Sequence, residues 1–223
     1  MTELSPRVSK KTELQFAFNK GETINYAIKS FGLKAGNASL SFQGITQYNG
    51  QDVYLIVFRA EALNFLDEET IYADTTHLYP VLIKRNLNIW GKKEKIDEFY
   101  DQEKGTVKIV KYAGDQTQEQ VIEKDGRIDN IYCFIYRTRQ SDEFQVGDSF
   151  VMRLPTKDVK IELMKETQLK AAGRKYKTYY MQSDPAQYEV WFDTSAMKIP
   201  LCISGSVGIK ATNIIMVNYE AGG

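Results

Sequence analysis

The stretch that decides the fold is GETINYAIKSFGLKAGNASLSF, residues 21–42. Its first part alternates Tyr26 and Ile28 with Ala27 and Lys29, which is the period-two pattern of a β-strand. The chain then reverses through residues 32–36, and an apolar set continues on one face of the next segment: Ala38, Leu40 and Phe42. This order predicts a strand, a glycine-containing turn and a second strand.

The same pattern continues along the chain. Asn49-Gly50 separates two alternating runs, residues 38–47 and 52–60, and this dipeptide is the strongest signal for a two-residue hairpin turn. Six further segments in the C-terminal half have the composition of strands: residues 149–155, 158–166, 174–182, 187–193, 199–204 and 208–219. Their regular spacing predicts one antiparallel sheet.

The composition agrees with an all-β fold. The chain has 14 Tyr and 11 Phe among 223 residues, and aromatic side chains favour the pleated surface of a sheet. We therefore predict a single large curved antiparallel sheet that forms a half-open or closed barrel. Residues 1–12 are polar and are predicted to be a flexible N-terminal segment, and residues 13–223 are predicted to be a single β-rich domain.

One or two short helices are expected, and the best candidate is DNIYCFIYRTR, residues 129–139. Ile128, Ile131 and Ile135 fit a helical spacing, with Asp129 as the N-cap. Period-two alternation fits the same segment, so a strand stays open from the sequence alone.

Charge argues against two classes of partner. Lys plus Arg and Asp plus Glu are each 29, and a balanced chain lacks the broad positive field that nucleic acid or an anionic membrane would require. The longest apolar run is VYLIVF, residues 53–58, which suits a buried strand and is far too short to span a membrane.

Few residues carry chemistry. The single histidine, His77, is expected to be a polar residue beside a strand, and three His and Cys residues in total argue against a structural zinc site. Cys133 and Cys202 are expected to be two separate buried thiols, with one disulfide as the alternative. The chain contains no phosphate-cradling glycine loop. We therefore expect no catalytic residues, no metal site and no cofactor.

Two other groups of residues stand out. Acidic residues cluster at 67–69 and 97–103 and are interpreted as solvated charge, although any two acids that meet in space could serve a glycosidase. Aromatic and basic residues interleave from Lys170 to Tyr180. Tyr176, Tyr180 and Trp191 are the weak candidates for a ligand-binding surface, with an ordinary solvated face of a sheet as the alternative.

Several short motifs resemble one family. The chain has Gly21-Glu22 before an aromatic strand, the turn Gly-x-x-Ala-Gly-x-Ala at residues 32–38, and Val146-Gly147-Asp148 before a strand. A terminal pattern spans residues 191–219 and contains Trp191, Lys198, Pro200, Gly205, Gly208 and Tyr219. This combination resembles the exported bacterial family designated domain of unknown function 3108. The resemblance implies a shared fold and a periplasmic or exported location.

The N-terminal residues 1–16, MTELSPRVSKKTELQF, have neither the apolar core nor the cleavage site of a signal peptide. Taken alone, they leave two interpretations: a cytoplasmic protein, or an exported protein whose signal peptide has been removed. The family resemblance favours the second.

These observations lead to one main expectation about function. The protein is expected to be a non-enzymatic cell-envelope protein that binds a lipid or a glycan in its curved sheet. One alternative is a carboxylate-dependent enzyme that acts on envelope polysaccharide. Another is a structural or assembly role, in which an exposed sheet edge pairs with another envelope protein.

Overall fold

A computed structural model describes residues 17–30, 32–141, 144–205 and 212–223. The segment predicted to be flexible, residues 1–12, lies outside these ranges. The described chain contains one helix, α1 (Ile131–Arg139), and these strands: β1 Glu22–Ser30, β2 Leu33–Tyr48, β3 Gln51–Ala62, β4 Phe65–Asp74, β5 Pro80–Ile89, β6 Lys92–Asp101, β7 Thr106–Ala113, β8 Gln116–Glu123, β9 Ser149–Leu154, β10 Lys157–Ala171, β11 Arg174–Asp184, β12 Glu189–Asp193, β13 Pro200–Ser204 and β14 Thr212–Glu220.

All the strands belong to one antiparallel sheet, in the order β8-β7-β6-β5-β4-β3-β2-β1-β14-β13-β12-β11-β10-β9. Two meanders, β1 to β8 and β9 to β14, are joined where β1 pairs with β14. The edge strands β8 and β9 do not pair with each other, so the sheet is open. The prediction of a single large antiparallel sheet in half-open form is confirmed.

Helix α1 follows one edge strand and precedes the other, and it packs into the core of the sheet. Its buried side chains join residues of both meanders in one apolar cluster, and the Tyr132 ring stacks on Phe58 with centroids 4.2 Å apart. The predicted helix is confirmed, but its predicted N-cap is wrong. Asn130 caps it, accepting a 2.8 Å hydrogen bond from the Tyr132 amide. The Asp129 carboxylate instead forms an ion pair with the Arg137 guanidinium.

A buried ion pair anchors the other end of the helix to β1. Arg139 donates to both carboxylate oxygens of Glu22 at 2.6 and 2.7 Å, and both side chains are fully buried. Arg139 also donates to the carbonyl oxygens of Ala17 and Met197, each at 3.0 Å, and Tyr219 donates to Glu22 at 3.0 Å. The glutamate of the opening Gly-Glu motif therefore has a structural role.

The two glycine motifs of the sequence have different roles. The predicted reversal through residues 32–36 is too long, because β2 begins at Leu33 and Gly36 lies within that strand. At the predicted β2–β3 hairpin, Asn49 and Gly50 have φ of 49° and 76°, which confirms the two-residue turn. At Gly36 a side chain is excluded, because a Cβ atom would lie 2.2 Å from the carbonyl oxygen of Glu61 on the neighbouring strand.

The ends of the two meanders meet beside the helix. The Asp129 amide donates to the Arg153 carbonyl at 2.6 Å, and Lys124 pairs with Asp158 at 3.0 Å. Cys133 and Cys202 are both buried and free, as expected for separate thiols. Within the described ranges, α1 does not have the length and apolar character that crossing a bilayer requires.

Candidate functional site

A polar stripe runs along the inner face of β4 to β7. Asp67 and Glu69 alternate with outward residues on β4 and share the inner face with Ile71 and Ala73. On the next strands, the stripe continues with Arg85, Glu98 and Lys111. Elsewhere the inner face of the sheet is mainly apolar, so this stripe is a polar region within an apolar surface.

The stripe borders a cavity with a volume of about 450 Å³, which we call the polar cavity. The N-terminal end of α1 forms one wall, and the β9–β10 turn and residues 187–188 form another. The cavity thus lies between the first meander, the helix and the second meander. Its apolar lining includes Ile83, Ile96 and Tyr188. A volume of several hundred Å³ is typical of small-molecule sites.

Arg85 contacts two acidic residues of β4 at the edge of the cavity. Its guanidinium donates to both oxygens of Asp67, at 2.7 and 2.5 Å, and its Nε lies 3.3 Å from Glu69 Oε1. The cross-strand register brings these groups together, because Arg85 is directly opposite Glu69. The Arg85 side chain is 28% exposed, so this cluster is open to the cavity.

Glu69 sits between the arginine and the helix. Asn130, the helix cap, donates to its Oε2 at 3.1 Å. Burial raises the pKa of Glu69 to about 7; the charges of Asp67 and Glu98 add to the rise, and Arg85 and Asn130 oppose it. A carboxyl group with this pKa changes its charge near neutral pH.

Glu98 provides a second carboxyl group in the same cavity. Burial also raises its pKa, while a hydrogen bond from the Tyr100 hydroxyl and the charges of Arg85 and Lys111 oppose the rise. Glu69 and Glu98 lie on strands separated by β5. The cavity lining therefore combines three acids, three basic residues and two amides: Glu69, Glu98, Asp129, Arg85, Lys111, Lys157, Asn130 and Gln187.

The candidate residues predicted from the sequence lie elsewhere. Tyr180 and Trp191 form a cross-strand pair with ring centroids 4.7 Å apart, and Tyr180 donates to Glu189 at 2.7 Å. Tyr176 packs against the core. None of the three lines the polar cavity. His77 lies in the turn between β4 and β5, half exposed, with its Nδ1 3.7 Å from Asp74.

The sequence interpretation missed the acids of the cavity. The prediction that residues 67–69 are solvated charge is wrong for Asp67 and Glu69, which are buried. In the second acidic cluster, Glu98 lines the cavity. The available signal was the period-two phase of β4, which puts Asp67 and Glu69 on the same side as Ile71 and Ala73.

Two further observations bear on the ligands that could be held. A small apolar void of about 20 Å³ lies between α1 and the second meander, and it has room for about one water molecule. Over the described ranges, no three side chains of His, Cys, Asp and Glu are grouped so that they could hold a metal ion.

Comparisons with known proteins give one family and one solved structure. Residues 23–212 match the family described as protein of unknown function DUF3108. No curated protein matches the chain. One similar solved structure is a beta-barrel-like protein of domain of unknown function DUF1849 from Brucella abortus. It is 8% identical, with a TM-score of 0.49, and the alignment covers 92% of this chain and 98% of that one.

Proposed function

We propose that this chain, which belongs to the DUF3108 family, is a non-enzymatic binding protein of the cell envelope that holds a glycan unit in the polar cavity. The observation that carries the proposal is the pairing of hydrogen-bonding groups with apolar walls in one cavity of about 450 Å³. The envelope location rests on the family resemblance alone.

The lining suits the chemistry of a sugar. A sugar ring presents hydroxyl groups at its edge and C–H groups on its faces. Glu69, Glu98 and Asn130 can meet hydroxyl groups as acceptors or donors, and Ile83 and Tyr188 can contact a ring face. The buried polar groups would discriminate against ligands that leave them unpaired.

A glycan is favoured over a lipid by the shape of the apolar space. An acyl chain needs a long apolar cavity, and the apolar void beside α1 is only about 20 Å³. The larger cavity is lined by charged residues, whose desolvation by a hydrocarbon chain would be costly.

Nuclear magnetic resonance titration tests the proposal with a panel of free neutral and N-acetylated disaccharides. We expect at least one sugar to shift the amide signals of residues 129–132 and 156–157 at the cavity walls. Glu69→Gln should weaken that binding roughly tenfold, because a charged hydrogen bond is lost. Glu68→Gln is the matched control, since Glu68 is on the same strand but pairs outward with Arg59.

Signal changes confined to residues outside the cavity, or no binding by any sugar of the panel, would contradict the glycan proposal. Equal weakening by Glu69→Gln and Glu68→Gln would also count against the cavity as the binding site.

A carboxylate-dependent hydrolase is the second candidate. Glu69 and Glu98 face one cavity, and the pKa of about 7 for Glu69 suits a general acid near neutral pH. If this candidate is right, disaccharide turnover should be lost in Glu69→Gln and Glu98→Gln and kept in Glu68→Gln. Binding without turnover in the wild type favours the first proposal.

A further inference from the structure

Three large apolar side chains project from the same end of the sheet. Leu33 follows the β1–β2 turn and is 76% exposed, Leu63 is in the β3–β4 turn and is 95% exposed, and Trp90 is in the β5–β6 turn and is 78% exposed. Alternate turns of an antiparallel meander lie at one end, so the three turns are neighbours. With Ile89, these residues form the apolar rim.

The turns of the rim are held together. The Trp90 amide donates to the Asn64 carbonyl at 2.8 Å, which joins the β5–β6 turn to the β3–β4 turn. Trp90 and Gly91 form a two-residue turn with φ of 54° and 82°. Asparagine is favoured at the position of Trp90, whereas a bulky residue with positive φ is strained. The geometry of the turn therefore does not explain why a tryptophan is at position 90. Backbone strain of this kind is found at functional sites.

Exposed lysines lie beside the apolar rim and make a local basic region in a chain of zero net charge. Lys92, Lys93 and Lys95 follow Trp90 directly on β6, and Lys34 follows Leu33; all four are exposed. Among the described residues, none of these lysines forms an ion pair with an acidic side chain. The acids beside the same turns are Glu94 and Glu61, and Glu61 is paired with Arg59.

We propose that the apolar rim is a docking surface for an anionic lipid bilayer. Leucine and tryptophan at separate hairpin turns can each enter the headgroup region, where the amphipathic indole is favoured. The lysines beside them complement lipid phosphates. A protein partner would instead need one continuous packed patch. A fluid bilayer accommodates isolated projecting side chains.

The position of the polar cavity fits this orientation. The β9–β10 turn and Gly205, which border the cavity, lie at the same end of the sheet as the apolar rim. Docking through the rim turns the cavity wall formed by the β9–β10 turn toward the membrane. The inference goes beyond the proposed glycan binding and does not depend on it.

Vesicle sedimentation tests the inference with the full chain. We expect binding to vesicles of phosphatidylcholine mixed with phosphatidylglycerol, weaker binding to phosphatidylcholine alone, and a decrease at high salt because the lysine contribution is screened. Trp90→Asn and Leu63→Ser should each lower the partition coefficient roughly tenfold, since each removes one large apolar side chain that becomes buried on insertion into the bilayer.

Two comparisons separate this loss from misfolding. Trp90→Asn introduces the residue that the turn prefers, so its thermal midpoint should be equal to or higher than that of the wild type. Ile45→Ser is the matched control, because Ile45 is 60% exposed on β2 but lies toward the opposite end of the sheet; its binding should be unchanged.

Absence of wild-type binding to the anionic vesicles would overturn the proposal, and so would equal binding by the wild type and both rim variants. A loss in Ile45→Ser as large as that in Leu63→Ser would show that exposed apolar area in general causes binding, which also overturns it.

Discussion

Two arginines on the inner side of the sheet bind carboxylates in different surroundings. Arg139 holds Glu22 with both side chains fully buried, and carbonyl groups and Tyr219 satisfy the rest of the cluster. Arg85 holds Asp67 and approaches Glu69 with its own side chain 28% exposed. The first cluster is closed, and the second borders a cavity of about 450 Å³.

The difference separates an anchor from a candidate site. In the closed cluster every polar group faces protein, so its contribution is to hold α1 against β1. In the open cluster, a carboxyl group with a raised pKa faces space that a ligand can enter. The same pair of residue types therefore fixes the fold in one place and leaves hydrogen-bonding capacity for a ligand in the other.

The largest predicted effect comes from removing each arginine. Arg139→Met leaves the buried Glu22 without its partner and should lower the free energy of unfolding by about 3–5 kcal/mol, measured by urea denaturation. Arg85→Met should cost less, about 1–3 kcal/mol, because Arg85 is 28% exposed and Glu69 lines the cavity, where water can solvate it.

The double variant Glu22→Gln/Arg139→Met serves as the control for the anchor. Because it removes both charges, it should recover part of the stability lost in Arg139→Met. Equal losses in Arg139→Met and Arg85→Met would contradict the distinction between a closed and an open cluster.

A smaller effect depends on pH. The folded-state pKa of Glu69 is raised from 4.5 to about 7. The protonated carboxyl therefore contributes its full share to the free energy of unfolding below pH 4.5, and this contribution is lost as the pH rises toward 7. Glu69→Gln removes the cost of placing a negative charge in this buried position. Its stability relative to the wild type should therefore increase between about pH 4.5 and 7, by about 3 kcal/mol, and stay constant above.

Urea denaturation across this pH range checks the expectation, with Glu68→Gln as the outward-facing control. A difference between Glu69→Gln and the wild type that stays flat across the range would mean that Glu69 titrates normally.

The smallest effect is expected far from both clusters, at the β2–β3 turn. Gly50 has a φ of 76°, so Gly50→Val forces a β-branched residue into the left-handed region. The expected cost is about 1 kcal/mol or more. A thermal or urea melt measures it, and the ligand binding of the cavity should be unchanged. A neutral substitution would show that the turn relaxes without cost.

The parts of the fold that sequence reasoning predicted correctly depend on local chemistry. The Asn49-Gly50 turn is specified by two adjacent residues that both tolerate positive φ. The spacing of apolar residues predicts the helix, but the prediction of Asp129 as its cap is wrong. Arg137, two turns along the same helix, pairs with the Asp129 carboxylate, and Asn130 is the cap.

The candidate site is only partly predictable: the period-two phase of β4 places Glu69 on the inner face, but the partners of Glu69 come from other elements. Glu69 and Glu98 lie in acidic runs that look solvated in the sequence. Only the assembled sheet places Arg85 opposite Glu69 and brings the helix cap, Asn130, against the same carboxylate. The wall formed by the β9–β10 turn comes from the other meander, which no local pattern links to β4.

The central claim is that the open cluster contains a carboxyl group poised to change charge near neutral pH. A carbon-13 nuclear magnetic resonance titration of the side-chain carboxyl groups tests it most directly, with the Glu69 signal assigned by its absence in Glu69→Gln. The structure predicts a titration midpoint near pH 7 for Glu69. A midpoint at its ordinary value of about 4.5 would contradict the claim.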